Sequence, residues 1–224
     1  MDTKQLEFAK QQLLNSQERQ FPVEFEFNGH KFILHKDVFA PDIFLGSRIY
    51  IPHLPFKPYQ SFLDMGCGMG IIGIIACLDY GLSDILCADI SLPAVNNAKE
   101  NVLLHNLSDK IQVVQSDVFS DIPVDRKFDL IFWNCPYMDV KSNRTTPLEM
   151  SMFDPGYAMT KRFITNGFNR LNPDGHLMLG FSTTRVPLQE LKDKIREIGF
   201  DAEIYYQGID DNGISQEILN VVKL

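Results

Sequence analysis

Apolar residues recur along this chain with two different periods, and the switches between them outline the fold. Over residues 2–19, Leu6, Phe8, Ala9, Leu13 and Leu14 fall at roughly helical spacing, which predicts a short amphipathic helix. Two short strand-like segments follow at Val23–Phe27 and His30–Leu34. Between them stands Asn28-Gly29, the pair favoured in a two-residue type I′ hairpin turn. From residue 60 onward strand-like and helix-like segments alternate. Strands are predicted at Ser61–Met65, Asp84–Asp89, Ile111–Gln115, 128–133 and 176–181. Helices are predicted from the end of a glycine loop to about residue 80, over 93–105 with Ser91 as candidate cap, over 160–171 and over 188–198. Asn172-Pro173-Asp174-Gly175 marks a turn ahead of the fifth strand. The last two strands, 203–206 and 218–222, are separated only by residues 208–213 and have no helical crossover. That final pair is expected to be antiparallel.

The alternation predicts an α/β fold: a mostly parallel, seven-stranded sheet with helices on both faces and an antiparallel last strand. Residues 1–37 read as an N-terminal helix-and-hairpin extension, the hairpin being a small accessory sheet or a lid, and 38–224 as one main domain. A chain of 224 residues, 45% of them hydrophobic, is ordinary globular composition with enough length for a sizeable core. No apolar run has membrane-spanning length, and the polar N-terminus lacks the pattern of a signal peptide, so the expected location is cytoplasmic with no membrane partner. The formal net charge of −8 makes duplex DNA an unattractive partner and leaves RNA open through a local basic patch. Cys67, Cys77, Cys87 and Cys135 form no Cys-x-x-Cys pair and are expected to be buried, reduced thiols. No metal site is expected.

The first chemical signal is Asp64-Met65-Gly66-Cys67-Gly68-Met69-Gly70, joining an apolar strand to an apolar helix. Alternating glycines let backbone approach a ligand closely. Gly68, Gly70 and Gly73 also spell a dinucleotide fingerprint, so the loop alone is ambiguous. Asp64 would repel a pyrophosphate there but suits an ammonium group or ordered water. Asp89, in Ala88-Asp89-Ile90 at the end of the second strand, suits the two hydroxyls of a ribose. Asp117, after the third strand, can accept from an adenine amino group while the neighbouring amide of Val118 meets a ring nitrogen. Its plainer role is a turn residue.

The second signal is Asn134-Cys135-Pro136-Tyr137 at the end of the fourth strand. Ligands of open α/β sheets bind outside the carboxyl ends of the strands, which puts this tetrapeptide beside the glycine loop. The Asn134 side-chain carbonyl can accept an N–H, Pro136 biases Cys135 toward an extended backbone that offers its carbonyl, and Tyr137 supplies an aromatic face. Two acceptors converging on one nitrogen would aim its lone pair at an electrophile, a catalysis by positioning. Upstream of the first core strand, Phe44, Gly46, Ser47, Arg48 and Tyr50 are candidate pocket residues, with Arg48 able to meet a carboxylate.

The stretch from Phe62 to Asn134 resembles the motif series of class I S-adenosylmethionine-dependent methyltransferases, which have a Rossmann-like fold. Asn134-Cys135-Pro136-Tyr137 resembles the Asn-Pro-Pro-Tyr signature of the amino- and amide-nitrogen methyltransferases. Val38-Phe39-Ala40-Pro41-Asp42, Asp154-Pro155-Gly156-Tyr157 and Leu171-Asn172-Pro173-Asp174-Gly175 are similar to segments of the enzymes that methylate release-factor glutamine. The resemblance implies that Asp64, Gly66, Cys67, Gly68 and Gly70 hold the methionine portion of S-adenosylmethionine. It assigns the ribose to Asp89 with Ile90 and the adenine to Asp117 with Val118. It assigns the acceptor nitrogen to Asn134, the Cys135 carbonyl, Pro136 and Tyr137, with Asn134 bordering the cofactor too. Cys135 departs from the signature, keeping the carbonyl but losing the proline constraint on φ. The implied acceptor is a protein side chain or a small molecule. Alternatives are an RNA adenine or guanine N-methyltransferase, a carbon- or oxygen-methylating biosynthetic enzyme, a nicotinamide-dependent oxidoreductase and a non-catalytic, cofactor-binding subunit.

Overall fold

The computed structural model describes residues 3–140, 146 and 148–224. Helix α1 (Thr3–Gln17) and the hairpin β1 (Val23–Phe27) and β2 (His30–Leu34) come first, followed by the short helix α2 (Gly46–Tyr50). The remainder alternates as β3 (Ser61–Met65), α3 (Ile71–Tyr80), β4 (Asp84–Asp89), α4 (Leu92–Leu104), β5 (Ile111–Gln115), β6 (Phe128–Asn134), α5 (Ala158–Phe168), β7 (Leu171–Phe181), α6 (Leu188–Arg196), β8 (Phe200–Ile209) and β9 (Ser215–Lys223). Seven strands form one sheet in the order β5-β4-β3-β6-β7-β9-β8. The first five are parallel, and β9 runs antiparallel to both β7 and β8, the expected architecture.

Burial explains why the central strands are apolar without alternation. Every residue of β3 is buried, and successive side chains supply opposite faces of the sheet. Leu63 and Met65 join a core with Ile131, Phe163 of α5 and Leu191 of α6, to which α1 adds Ala9 and Leu13. Phe62 faces the other way, into a core with Ile74, Ala98, Phe132 and the hairpin residues Phe32 and Leu34. The two parts of the N-terminal segment therefore pack on opposite faces of the sheet.

The hairpin has the predicted turn, with Asn28 and Gly29 both at positive φ (50° and 77°). It is no lid: two buried asparagines of α4 clamp it to that helix. Asn101 Oδ1 accepts from Ile33 N–H (2.9 Å), Asn97 Oδ1 from His35 N–H (3.0 Å), and both side-chain amides donate to the Ile33 carbonyl. The structure corrects three further expectations. Ser91 stands at the N-cap of α4, yet its hydroxyl bonds none of the helix amides. Helix α5 stops at Phe168, and β7 begins at Leu171, ahead of the predicted turn. Residues 172–175 form an irregularity within that strand, because Phe128 pairs with Leu171 and Leu130 already pairs with His176. Asp129 holds this detour, accepting from Asn172 Nδ2 (2.8 Å) and from the amide and hydroxyl of Ser61 (2.8 Å each). All four cysteines are buried free thiols. Among the described residues no helix is long and apolar enough to cross a membrane.

Candidate functional site

A cleft of about 1530 Å³, open mouth included, lies at the carboxyl ends of β3, β4, β5 and β6. One wall is the glycine loop. Gly66, Gly68 and Gly70 all take left-handed φ values of 61°, 57° and 84°. At Gly66 this is compounded by contact, since a Cβ would collide with Trp133 Nε1. Met65, Gly66, Cys67 and Gly68 border the cleft, as do Asp89, Ile90, Ser91, Asp117 and Val118.

Asp64 and Gly70 stand behind this wall rather than on it. Gly70 is the N-cap of α3. The Asp64 carboxylate is buried and accepts the Gly73 N–H from the first turn of that helix (3.1 Å). Burial lifts its pKa to about 7; the Gly73 bond opposes the rise and Asp89 adds to it. Asp64 therefore fixes the loop against α3 from behind the cleft lining. Asp89 is the acid that reaches the cleft. Its Oδ2 accepts from Gly68 N–H (2.9 Å) and its Oδ1 from Ser91 N–H (2.9 Å), and a carboxylate with about four lone-pair sites can accept further bonds. Beside it the buried Ser91 hydroxyl has no hydrogen-bond partner among the described residues. A vicinal diol is the kind of group that satisfies both.

Asp117 is placed on the cleft, where Arg162 of α5 grips its carboxylate in a fork, one bond to each oxygen (3.0 and 2.7 Å), as guanidinium geometry matches a carboxylate. The next residue, Val118, holds φ at 55°, unusual for a β-branched side chain. The buried Ser116 hydroxyl braces that turn by donating to the Val118 carbonyl (2.8 Å) and accepting from Asp121 N–H (3.0 Å).

The opposite wall starts at Asn134, Cys135, Pro136 and Tyr137, all bordering the cleft. Asn134 pairs with Gly180 of β7, where a Cβ would lie 3.1 Å from Asn134 Oδ1 and 2.9 Å from the Tyr50 ring, so the glycine leaves room for both. The Cys135 thiol donates to the Gly180 carbonyl (3.4 Å), and burial drives its pKa far above the ordinary thiol range. It is not a nucleophile at neutral pH. Tyr137 rests its ring against Phe181 at 5.1 Å, and burial pushes its phenol up to about 12, against the pull of Arg185. Asp154, fully buried, accepts from the Met159 and Thr160 amides and the Thr160 hydroxyl at 2.7–2.9 Å, while its own N–H donates to the Met138 carbonyl (2.9 Å). It thus ties the residue after the tetrapeptide to the start of α5.

Of the upstream candidates, Phe44, Gly46 and Ser47 border the cleft, and Arg48 and Tyr50 do not. Arg48 is exposed and lies over the Phe27 ring at 5.4 Å. Tyr50 is buried and donates to Gln216 Oε1 (2.6 Å). Gln12 of α1, Arg185 of the β7–α6 connection, and Asp210, Asn212 and Gln216 near the β8–β9 turn also border the cleft, though nothing in the sequence singles them out. Only tertiary structure brings them here. No cluster of metal-ligating side chains occurs among the described residues.

The family model for the methyltransferase small domain matches residues 29–200. A release factor glutamine methyltransferase of Clostridium botulinum is 31% identical over 156 residues, 66% of this chain and 55% of that protein. The chain thus spans about half the length of that relative. A putative protein N5-glutamine methyltransferase of Methanocaldococcus jannaschii is 31% identical over 80% of this chain and 89% of its own length. Among solved structures, a methyltransferase from Pyrococcus furiosus superposes with a TM-score of 0.60 at 14% identity, covering 96% of this chain and 99% of that one, a likeness of fold.

Proposed function

This chain belongs to the methyltransferase small domain family, and we propose that it is an S-adenosylmethionine-dependent N-methyltransferase acting on a planar amide nitrogen of a protein side chain or a small molecule. The observation that carries the reading is Asn134, which faces the same cleft as the glycine loop and Asp89 and is left room by Gly180. Family membership overturns the oxidoreductase alternative. The division into a 1–37 extension and a 38–224 catalytic domain is part of the same proposal.

The residues fit the cofactor. The Asp89 carboxylate and the Ser91 hydroxyl, which has no hydrogen-bond partner among the described residues, suit a nucleoside with a ribose diol, and the backbone of Gly66 and Gly68 borders the same cleft. Gly66, Cys67 and Gly68 would face the methionine portion, Asp89 with Ile90 and Ser91 the ribose, and Val118 with Asp117 the adenine. When bound, S-adenosylmethionine would supply an electrophilic methyl group and leave as S-adenosylhomocysteine, the acceptor nitrogen losing its proton to solvent. Asn134 Oδ1 and the Cys135 carbonyl accept the amide N–H groups, turning the nitrogen toward the methyl group. The Tyr137 ring lies against the plane of the amide. With Cys135 held as a thiol and Tyr137 as a phenol at neutral pH, neither side chain serves as nucleophile or base.

Trp133, the single tryptophan, borders the cleft and reports binding by fluorescence. S-adenosylmethionine is expected to quench it saturably in the wild type and at least about tenfold more weakly in Asp89→Ala, which loses charge-assisted bonds. Folded wild type without binding overturns the reading. Asn134→Ala is expected to keep cofactor affinity and lose roughly a hundredfold in methyl transfer, followed by the mass shift in a pool of candidate peptides, metabolites and RNA with labelled cofactor. Undiminished turnover removes Asn134 from its role.

A further inference from the structure

Among the described residues Arg185 is the one cationic side chain on the cleft lining. It is half-buried and joins no ion pair among the described residues, whereas Asp89, Asp117 and Asp210 on the same lining each have protein partners. One of its five N–H donors, on Nη2, meets Gln12 Oε1 of α1 (2.9 Å), and the guanidinium lies over the Phe8 ring at 6.0 Å. The backbone beneath it is pinned. Thr183 donates its amide (2.8 Å) and hydroxyl (2.5 Å) to the fully buried Glu217, and the Arg185 amide bonds the Ser182 carbonyl (3.2 Å). A guanidinium with spare donors, fixed at both its backbone and its tip, is a preorganised fork for an oxyanion. It sits on the Tyr137 side of the cleft, the half assigned to the acceptor, and is coupled electrostatically to that phenol.

We propose that Arg185, oriented by Gln12, selects a methyl acceptor that carries a single carboxylate close to its planar amide. This rests on the acceptor half of the reading above. One cation among several cleft acids matches one carboxylate, and a chain of phosphates would meet repulsion from the acids around it. The carboxylate is either the acceptor's own α-carboxylate or the side chain of an adjoining acidic residue.

Calorimetry in saturating S-adenosylhomocysteine tests the proposal with N-acetylglutamine, the doubly neutral N-acetylglutaminamide, and the capped dipeptides acetyl-Gln-Asp-amide and acetyl-Gln-Asn-amide. The wild type is expected to bind one of the charged probes about ten- to a hundredfold more tightly than its neutral counterpart. Which pair discriminates identifies the source of the carboxylate. Arg185→Met, with thermal stability and cofactor affinity unchanged, is expected to bring that ratio to near one; Arg185→Lys restores part of it, and Gln12→Ala reduces it. Equal binding of charged and neutral probes by the wild type, no binding of any probe, or a ratio untouched by Arg185→Met each overturns the proposal. So does an RNA oligonucleotide that binds in an Arg185-dependent manner while the charged peptides do not. Discrimination in binding without transfer of a labelled methyl group to the bound probe would leave Arg185 its role and count against the methyltransferase reading instead.

Discussion

The two walls of the cleft, one proposed to hold the cofactor and the other the acceptor, are built by different means. The cofactor wall comes from three neighbouring parallel strands and the loops that leave them, and much of what it offers is main chain or groups locked to main chain: the Gly66–Gly68 backbone, Asp89 tied to Gly68 and Ser91, and Val118 braced by Ser116. The acceptor wall is collected from afar. Asn134 and Tyr137 leave β6, Gln12 comes from α1, Arg185 from the β7–α6 connection, and Asp210 and Gln216 from near the β8–β9 turn. A site of backbone on adjacent strands tolerates little change, whereas a site of side chains from separate elements can be altered one residue at a time. The first suits a ligand shared across a family, and the second suits an acceptor that differs between members.

Three substitutions probe that contrast. Gly66→Ala strikes the rigid wall hardest, because the methyl group meets the Trp133 indole and φ is left-handed. It is expected to cost roughly 3–5 kcal/mol. That lowers Tm by on the order of 10 °C in a chain of this size. A variant that melts with the wild type would show that the loop yields and that the wall is softer than described.

Asp64 offers a test by pH. Its carboxyl is raised in the folded state from 3.8 to about 7, so folding favours the protonated form. Stability from this group is complete below the unfolded pKa near 4 and is lost as pH rises through about 7. The wild type should lose roughly 2–3 kcal/mol between pH 5 and pH 8, beyond which this contribution levels off. Asp64→Asn keeps an acceptor for Gly73 and should flatten that profile in thermal melts. An identical slope in both proteins would assign the titration to another group.

Arg162→Ala is the mildest. An exposed ion pair contributes at most about 1 kcal/mol, and less in high salt. Its loss removes a competitor for the Asp117 lone pairs that a purine amino group would meet, so S-adenosylmethionine should bind as well as before or a few-fold more tightly. A tenfold loss in affinity would give Arg162 a place in the cofactor wall.

The same contrast governs what could be read from the sequence. The cofactor wall was legible because its signals are local: a glycine run between a strand and a helix, and acids at successive strand ends. The hairpin was legible from Asn28-Gly29 for the same reason. Helix α2 escaped notice in a stretch with little helical periodicity. The turn at residues 172–175 was real but fell inside β7, since Asp129 and Asn172 carry the strand around it. Arg48 and Arg185 look alike as isolated arginines. One lies on Phe27 outside the cleft and the other meets Gln12 across 173 positions of chain, a difference set by tertiary packing alone. Asp117 was correctly put on the cleft, while its partner Arg162 lay 45 residues ahead.

The antiparallel insertion of β9 between β7 and β8 has a consequence for synthesis. A ribosome delivers residues 61–134, and with them most of the wall proposed for the cofactor, long before β9 (Ser215–Lys223). Strand β8 joins the sheet only through β9, which follows it in the chain and pairs with β7. Gln216, which receives the Tyr50 hydroxyl, arrives on that same strand. The wall proposed for the acceptor is therefore completed after the glycine loop, and a nascent chain that already has that loop would remain without the complete pocket until β9 emerges.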